Sequence, residues 1–208
     1  AFFAGLLKII PCVKLVAVSG ALSMRNSRKN DDIDLVIMTS KGLLWTTRFL
    51  ANLLLLPFKR DLAGQKISDR ACLNMFLDES ALSIKERNIY TAHEICQMKL
   101  LWDREGTYRK FLRANSWVQE YLPNWKPIAV NSKSKIVNRK TAGINLPFTI
   151  NYSLVENLLK GFQFWYMKNK VTTEKITKTQ LFFHPKNTQD WVLGEYDSRL
   201  KKLGIASS

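Results

Sequence analysis

The chain has 208 residues, 46% of them hydrophobic and 24% charged, which is ample apolar material for one sizeable domain and excludes an intrinsically disordered chain. Thirty-two Lys and Arg against 17 Asp and Glu give a net charge of +15, a surface field that favours polyanions such as RNA, DNA, nucleotides or an anionic membrane face. Three cysteines without Cys-x-x-Cys spacing argue for buried free thiols in a reducing, cytoplasmic setting and against a disulfide framework or a zinc site.

Residues 2–10 read as the end of an amphipathic helix stopped near Pro11. A chain that begins in mid-pattern on Ala1 reads as a fragment of a longer protein. The short β-branched run "VKLVAVS" (13–19) is a strand. Gly20 breaks it, "ALSMRN" opens a short helix, "SRKNDD" is a polar loop, and "IDLVIMT" (33–39) is a second strand. Residues 43–56 are apolar nearly all round and predict a helix buried on more than one side. The apolar stretch 42–58 is interrupted by Arg48 and Asn52, is barely long enough before Pro57, and makes a poor membrane span.

A basic connection (59–70) leads to a third strand, 71–77, whose one polar position is Asn74. The pattern predicts a helix over 83–99, with Ile89, Ala92, His93 and Cys96 on one stripe, and another over 106–122, ended at Pro123. A short strand, "LLWD", lies between them. From Lys126 to Ile150 there is no acid at all, so a cationic loop is expected. An aromatic-rich helix near 152–169 follows, then a last helix near 187–203, opened by Asn187 or Thr188 and stopped at Gly204.

The chemistry concentrates at residues 31–34. Side chains alternate along a strand, so Asp32 and Asp34 share one face while Ile33 and Leu35 take the other. Two carboxylates so placed repel each other unless a cation lies between them. Mg2+ suits the pair, because it prefers hard oxygen ligands and keeps positions open for waters and phosphates. The strand, glycine turn and helix start upstream supply backbone N–H groups for phosphate oxygens. Asp31 is expected to face away as a bystander. Taken alone, Asp-x-Asp at a strand start more often marks a solvated edge or a helix-capping loop than a metal site.

The run "GALSMRNSRKNDDIDLVI" (20–37) resembles the signature of the DNA polymerase beta-like nucleotidyltransferase superfamily, particularly its small bacterial and archaeal members. There a strand, Gly-Ser, a short helix and loop, and Asp-x-Asp lead into an apolar strand. The resemblance spans roughly residues 10–104, with its specific motif at 19–35. It implies an α+β fold, a nucleotidyltransferase-type mixed β-sheet flanked by helices, forming a domain over 1–104. A mostly helical C-terminal region over 105–208 would contain the basic loop 126–150.

It further implies a nucleoside triphosphate substrate, a two-ion Mg2+ site, and transfer of a nucleoside monophosphate to a hydroxyl whose owner the sequence does not identify. Carried over by position, Gly20 is the phosphate-turn glycine, and Asp32 and Asp34 are the catalytic metal ligands. Ser19, Ala21, Ser23, Arg25 and Lys29, with Arg28 beside them, complete the phosphate-binding neighbourhood. Two departures stand out. The family's serine after the glycine is Ala21 here, and its third carboxylate, on a neighbouring strand, is missing. Asn74 is the polar residue on that strand, and Asp78 and Glu79 lie just past its end. Asn can lend a carbonyl oxygen to a metal but cannot serve as a base.

That gap sustains a second reading, a catalytically lapsed fold kept as a nucleotide- or RNA-binding module. A peripheral membrane contact through the basic surface and the segments 43–56 and 152–167 is a third. Elsewhere, Arg48 needs an anionic partner if buried, or snorkels to the surface. His93 and His184 read as structural, Glu94 is set aside as a general base, and Phe162, Phe164, Trp165 and Tyr166 read as core rather than a base-stacking platform.

Overall fold

The computed structural model describes residues 2–59, 68–127, 152–168, 175–183 and 186–205. β1 (Val13–Val18), β2 (Ile33–Thr39) and β3 (Ala71–Asp78) lie where apolar alternation places them, and β4 (Lys99–Asp103) contains the "LLWD" strand. A hairpin of β5 (Lys175–Ile176) and β6 (Gln180–Phe182), too short to leave a sequence pattern, joins β3 and completes six strands in the order β4-β1-β2-β3-β6-β5. β1 runs antiparallel to β2 and β4, whereas β2 and β3 are parallel. The sheet is mixed and the architecture is α+β.

Helices cover both faces. On one side α1 (Phe2–Leu7) and α3 (Leu44–Leu54) bury Leu7, Leu44, Trp45 and Ala51 against Val16, Leu35, Ile37 and Phe76. On the other, α4 (Ile89–Gln97), α5 (Thr107–Ala114) and α6 (Val118–Tyr121) bury Ala92, Ile95, Phe111 and Val118 against Ala17, Val36, Met38 and Met75. Leu35 and Ile37 therefore face the first layer, and Val36 and Met38 the second, as the strand period requires. α2 (Gly20–Ser23) is a single turn between β1 and β2.

α3 is buried on a second side because α7 (Tyr152–Met167) lies over it. No side chain of α3's own N-cap closes its first turn. Glu156 of α7 does so instead: its carboxylate accepts from the amides of Trp45 at 2.6 Å and Thr46 at 2.9 Å, and from the Thr46 hydroxyl at 2.8 Å. A negative charge at this end also complements the helix dipole.

Several expectations are corrected. The helix predicted over 83–99 starts only at Ile89, capped by Asn88, whose side chain accepts from the Thr91 amide. The preceding residues are irregular: the Ile84 amide donates to Asn115 and the Ala81 and Ser83 carbonyls accept from Gln180. The helix predicted over 106–122 breaks at Asn115, whose side-chain amide donates to the Phe111 and Leu82 carbonyls and competes with the backbone ladder. α8 (Lys186–Lys202) takes in Asn187 and Thr188 rather than starting on either, and ends before Gly204 as expected.

The aromatic residues of α7 are not buried, although Phe164 lies over the Trp45 ring at 5.0 Å and Phe162 meets Phe49. Gln163 and Met167 take the buried line, while Phe162, Tyr166 and Trp165 are exposed, Trp165 by 74%. Among the described residues no helix is long and apolar enough to cross a membrane. The cationic loop 126–150, beyond Lys126 and Pro127, lies outside the described residues, as does His184.

Candidate active site

β1 delivers Ser19 and Gly20 to the edge of β2, where the Ser19 amide donates to the Asp34 carbonyl at 3.0 Å. Gly20 then turns the chain with φ +64°. A Cβ built on it would lie 2.4 Å from Oδ2 of Asp34, so the position needs glycine for both its conformation and its space. Backbone at Gly20 thus lies directly against the Asp34 carboxylate. The Ser23 hydroxyl is buried and donates to the Gly20 carbonyl at 2.7 Å, which closes the turn. Ala21 is half-buried in the same turn. With one turn of helix behind it, α2 offers amides but little dipole.

Asp32 and Asp34 are half-buried, and β3 runs parallel beside them with Cys72 opposite Asp34. Asp32, Asp34 and Cys72 bring ligand atoms within 4.8 Å of one another. The register then slips, Leu35 opposing Leu73 and Val36 opposing Met75, which leaves Asn74 as the extra residue of a bulge. Bulges commonly re-aim a side chain beside a site. Here the Asn74 side-chain amide donates to Oδ1 of Asp34 at 3.0 Å.

Asp78 stands elsewhere. It pairs with Thr39 at the opposite end of the parallel ladder, about 16 Å from Asp34 at the usual strand rise. Its carboxylate accepts from the Gly42 amide at 2.6 Å and from the Ser80 amide at 2.8 Å. It organises the turns after β2 and β3 and is not a third ligand. Asp31 accepts from the Arg28 amide at 2.7 Å and shapes the loop. Arg25, Arg28 and Lys29 are exposed on that loop.

Sequence reasoning missed one residue of the site and set another aside. Cys72, a thiol among apolar neighbours, enters the site only through its pairing with Asp34. Glu94 enters from α4, across the sheet face that carries Asp34. Burial pushes its carboxyl up to about 7, with the charge of Asp34 adding to the effect. The same two causes, with Glu94 contributing, push the neighbouring Tyr90 hydroxyl up to about 12. The i, i+4 spacing of Tyr90 and Glu94 on a helix facing a carboxylate was the available signal.

Arg48 is not part of the site. It is held on the other face by Gln163 of α7 at 2.6 Å and lies 4.7 Å from the ring centre of Phe183; burial pushes its guanidinium down to about 10. His93 is exposed and bonded to Gln97, not on the buried stripe of α4. Cys12, Cys72 and Cys96 form no disulfide among the described residues.

No family model matches the chain, and no curated protein matches it in sequence. Solved structures with a likeness in fold include a toxin–antitoxin complex with AMP-PNP, 18% identical, covering 58% of this chain and 86% of that one at a TM-score of 0.33. Another is a mutant of the toxin–antitoxin MntA-HpeT, 18% identical, covering 59% of this chain and 88% of that one at a TM-score of 0.34. A likeness of this degree leaves function to be read from the residues themselves.

Proposed function

We propose that this chain is a nucleotidyltransferase, binding a nucleoside triphosphate with a divalent cation at Asp32 and Asp34 and passing the nucleoside monophosphate to a hydroxyl acceptor. The observation that carries this reading is the seating of Gly20 backbone against the Asp34 carboxylate, in a left-handed turn with no room for a Cβ. A solvated strand edge has no need of such a turn, whereas a site for phosphates beside a carboxylate pair does.

The donor set fits the cation in part. Asp32 and Asp34 offer the hard oxygens that Mg2+ takes, and these two would hold it; the Cys72 sulfur beside them suits a softer ion. When bound, such a cation neutralises phosphate charge and polarises the transferring group. The Gly20 turn brings backbone amides to the phosphates, and Arg25 and Lys29 add positive charge from the exposed loop. The acceptor oxygen bonds to the α-phosphorus while the bond from that phosphorus to the bridging oxygen breaks. Pyrophosphate leaves with the electron pair, and the hydroxyl proton passes to the Glu94 carboxylate, held near 7 where a base is effective.

Equilibrium binding of ATP with Mg2+ tests the proposal. Asp32→Asn with Asp34→Asn should abolish Mg2+-dependent binding, and a double variant that binds as the parent chain does overturns it. The lapsed-module reading is favoured by Asn74, which stands on β3 where a third carboxylate would complete the site. α-Phosphate-labelled triphosphates separate the two: label on any acceptor supports the enzyme, and tight binding without transfer supports the module.

A further inference from the structure

A cavity of about 210 Å3 is walled by β3, α4, β6 and the start of α8, and reaches the carboxylate pair through Ser19, whose amide donates to the Asp34 carbonyl. Its floor is apolar: Met75, Ile84, Ile95, Met98 and Phe182. It exceeds the roughly 150 Å3 that hold a benzene ring in a dry engineered core, so it takes a substituted ring or an aliphatic group of like size.

Of the lining, Ser19 bonds the Asp34 carbonyl through its amide and Glu94 lies within reach of the Asp34 charge. The Ser19 hydroxyl is fully buried and, among the described residues, has no hydrogen-bond partner, a cost ordinarily met by a ligand or water. The rim carries Glu86 and Asp190, with Lys175 drawn to Glu86 at 3.3 Å. Three acids and one lysine thus line a cavity in a chain of charge +15. A polyphosphate or a nucleic-acid strand is repelled from such a place, and a cation is drawn to it.

We infer that this cavity is the acceptor site, and that the acceptor is a small neutral or cationic alcohol whose apolar body lies on the Met75–Met98 floor and whose hydroxyl meets Ser19 and Glu94. The inference rests on the nucleotidyltransferase reading of the Asp pair. In a nucleoside triphosphate the base is separated from the α-phosphate by the sugar, so the group that abuts the carboxylates directly is the acceptor's hydroxyl. A base pocket belongs farther from Asp34.

The test uses the full chain saturated with Mg2+ and the unreactive α,β-methylene ATP, whose binding is confirmed first. Loss of that binding strikes the nucleotide reading alone. Three probes share a ring and a hydroxyl: 4-(hydroxymethyl)benzylamine, benzyl alcohol and 4-(hydroxymethyl)benzoate. The amine should bind alongside the nucleotide, shift the methyl resonances of Met75, Met98 and Ile95, and bind about tenfold more tightly than the benzoate. Met98→Trp should fill the floor and remove binding of all three, and Glu94→Gln, nearly isosteric and safe for folding, should reduce the preference for amine over benzoate. Equal binding of amine and benzoate, no shift at these methyls, or displacement of the probes by the nucleotide would overturn the inference, the last marking the cavity as a base pocket.

Discussion

The side-chain amide of Asn74 donates a hydrogen bond to Oδ1 of Asp34 at 3.0 Å. In the proposed site a neutral donor therefore stands beside the pair, where a third acid would complete the ligand set. Asn74→Asp keeps the shape and reverses the interaction. Without cation the new carboxylate faces Asp34, and the chain should lose about 1–3 kcal/mol of stability. With Mg2+ the extra charge should raise cation affinity by about tenfold, since charged-ligand count tunes such sites. Thermal melts with and without Mg2+ read both effects, and a variant indifferent to Mg2+ argues against a cation at this place.

Gly20→Ala tests the turn. The substitution meets Oδ2 of Asp34 at 2.4 Å in a backbone conformation of φ +64°. Either Asp34 rotates away or the turn opens. Stability should fall by about 1–2 kcal/mol from the backbone alone, and Mg2+-dependent nucleotide binding should fall further than stability does. Calorimetric titration beside a denaturant melt separates the two, and a loss of stability with unchanged nucleotide binding would detach Gly20 from the site.

What was legible in the sequence is what local patterns encode. The period of two in "IDLVIMT" places Asp34 on one face and Leu35 on the other, and the sheet bears this out. Cys72 was not legible, because its place opposite Asp34 depends on which strands pair and in what register. The bulge at Asn74 is likewise a property of the pairing. The aromatic helix misled for a related reason: only the line of Gln163 and Met167 turns inward, leaving Trp165 exposed. Glu94 was visible as an acid on a helix, but its facing Asp34 from an element more than fifty residues along the chain depends on the packing of α4 on the sheet.

Glu156 was invisible for the same reason, although it is the single acid in α7. It caps a helix more than a hundred residues away in sequence. Glu156→Ala removes the acceptors for both amides and the Thr46 hydroxyl, and should cost about 2 kcal/mol, the upper range for a lost cap. Glu156→Gln keeps one acceptor and should cost about half as much. Urea midpoints measure the series; equal losses in the two variants would assign the effect to charge rather than to the hydrogen bonds.

Glu94 sets a pH dependence whose sign is fixed by its environment. Its carboxyl sits at about 7 in the folded chain against an ordinary 4.5, raised by burial first and by Asp34 second. The folded state therefore binds the proton more tightly than the unfolded state does, and stability falls as pH rises from about 4.5 through about 7. The span is on the order of 2 kcal/mol for a half-buried group. Glu94→Gln should flatten that slope. A cation at Asp32 and Asp34 offsets the second cause, so Mg2+ should lower the Glu94 titration midpoint, which carbon NMR of the labelled carboxyl follows directly. A midpoint that ignores saturating Mg2+ would place the cation away from Asp34, and with it the proposed chemistry.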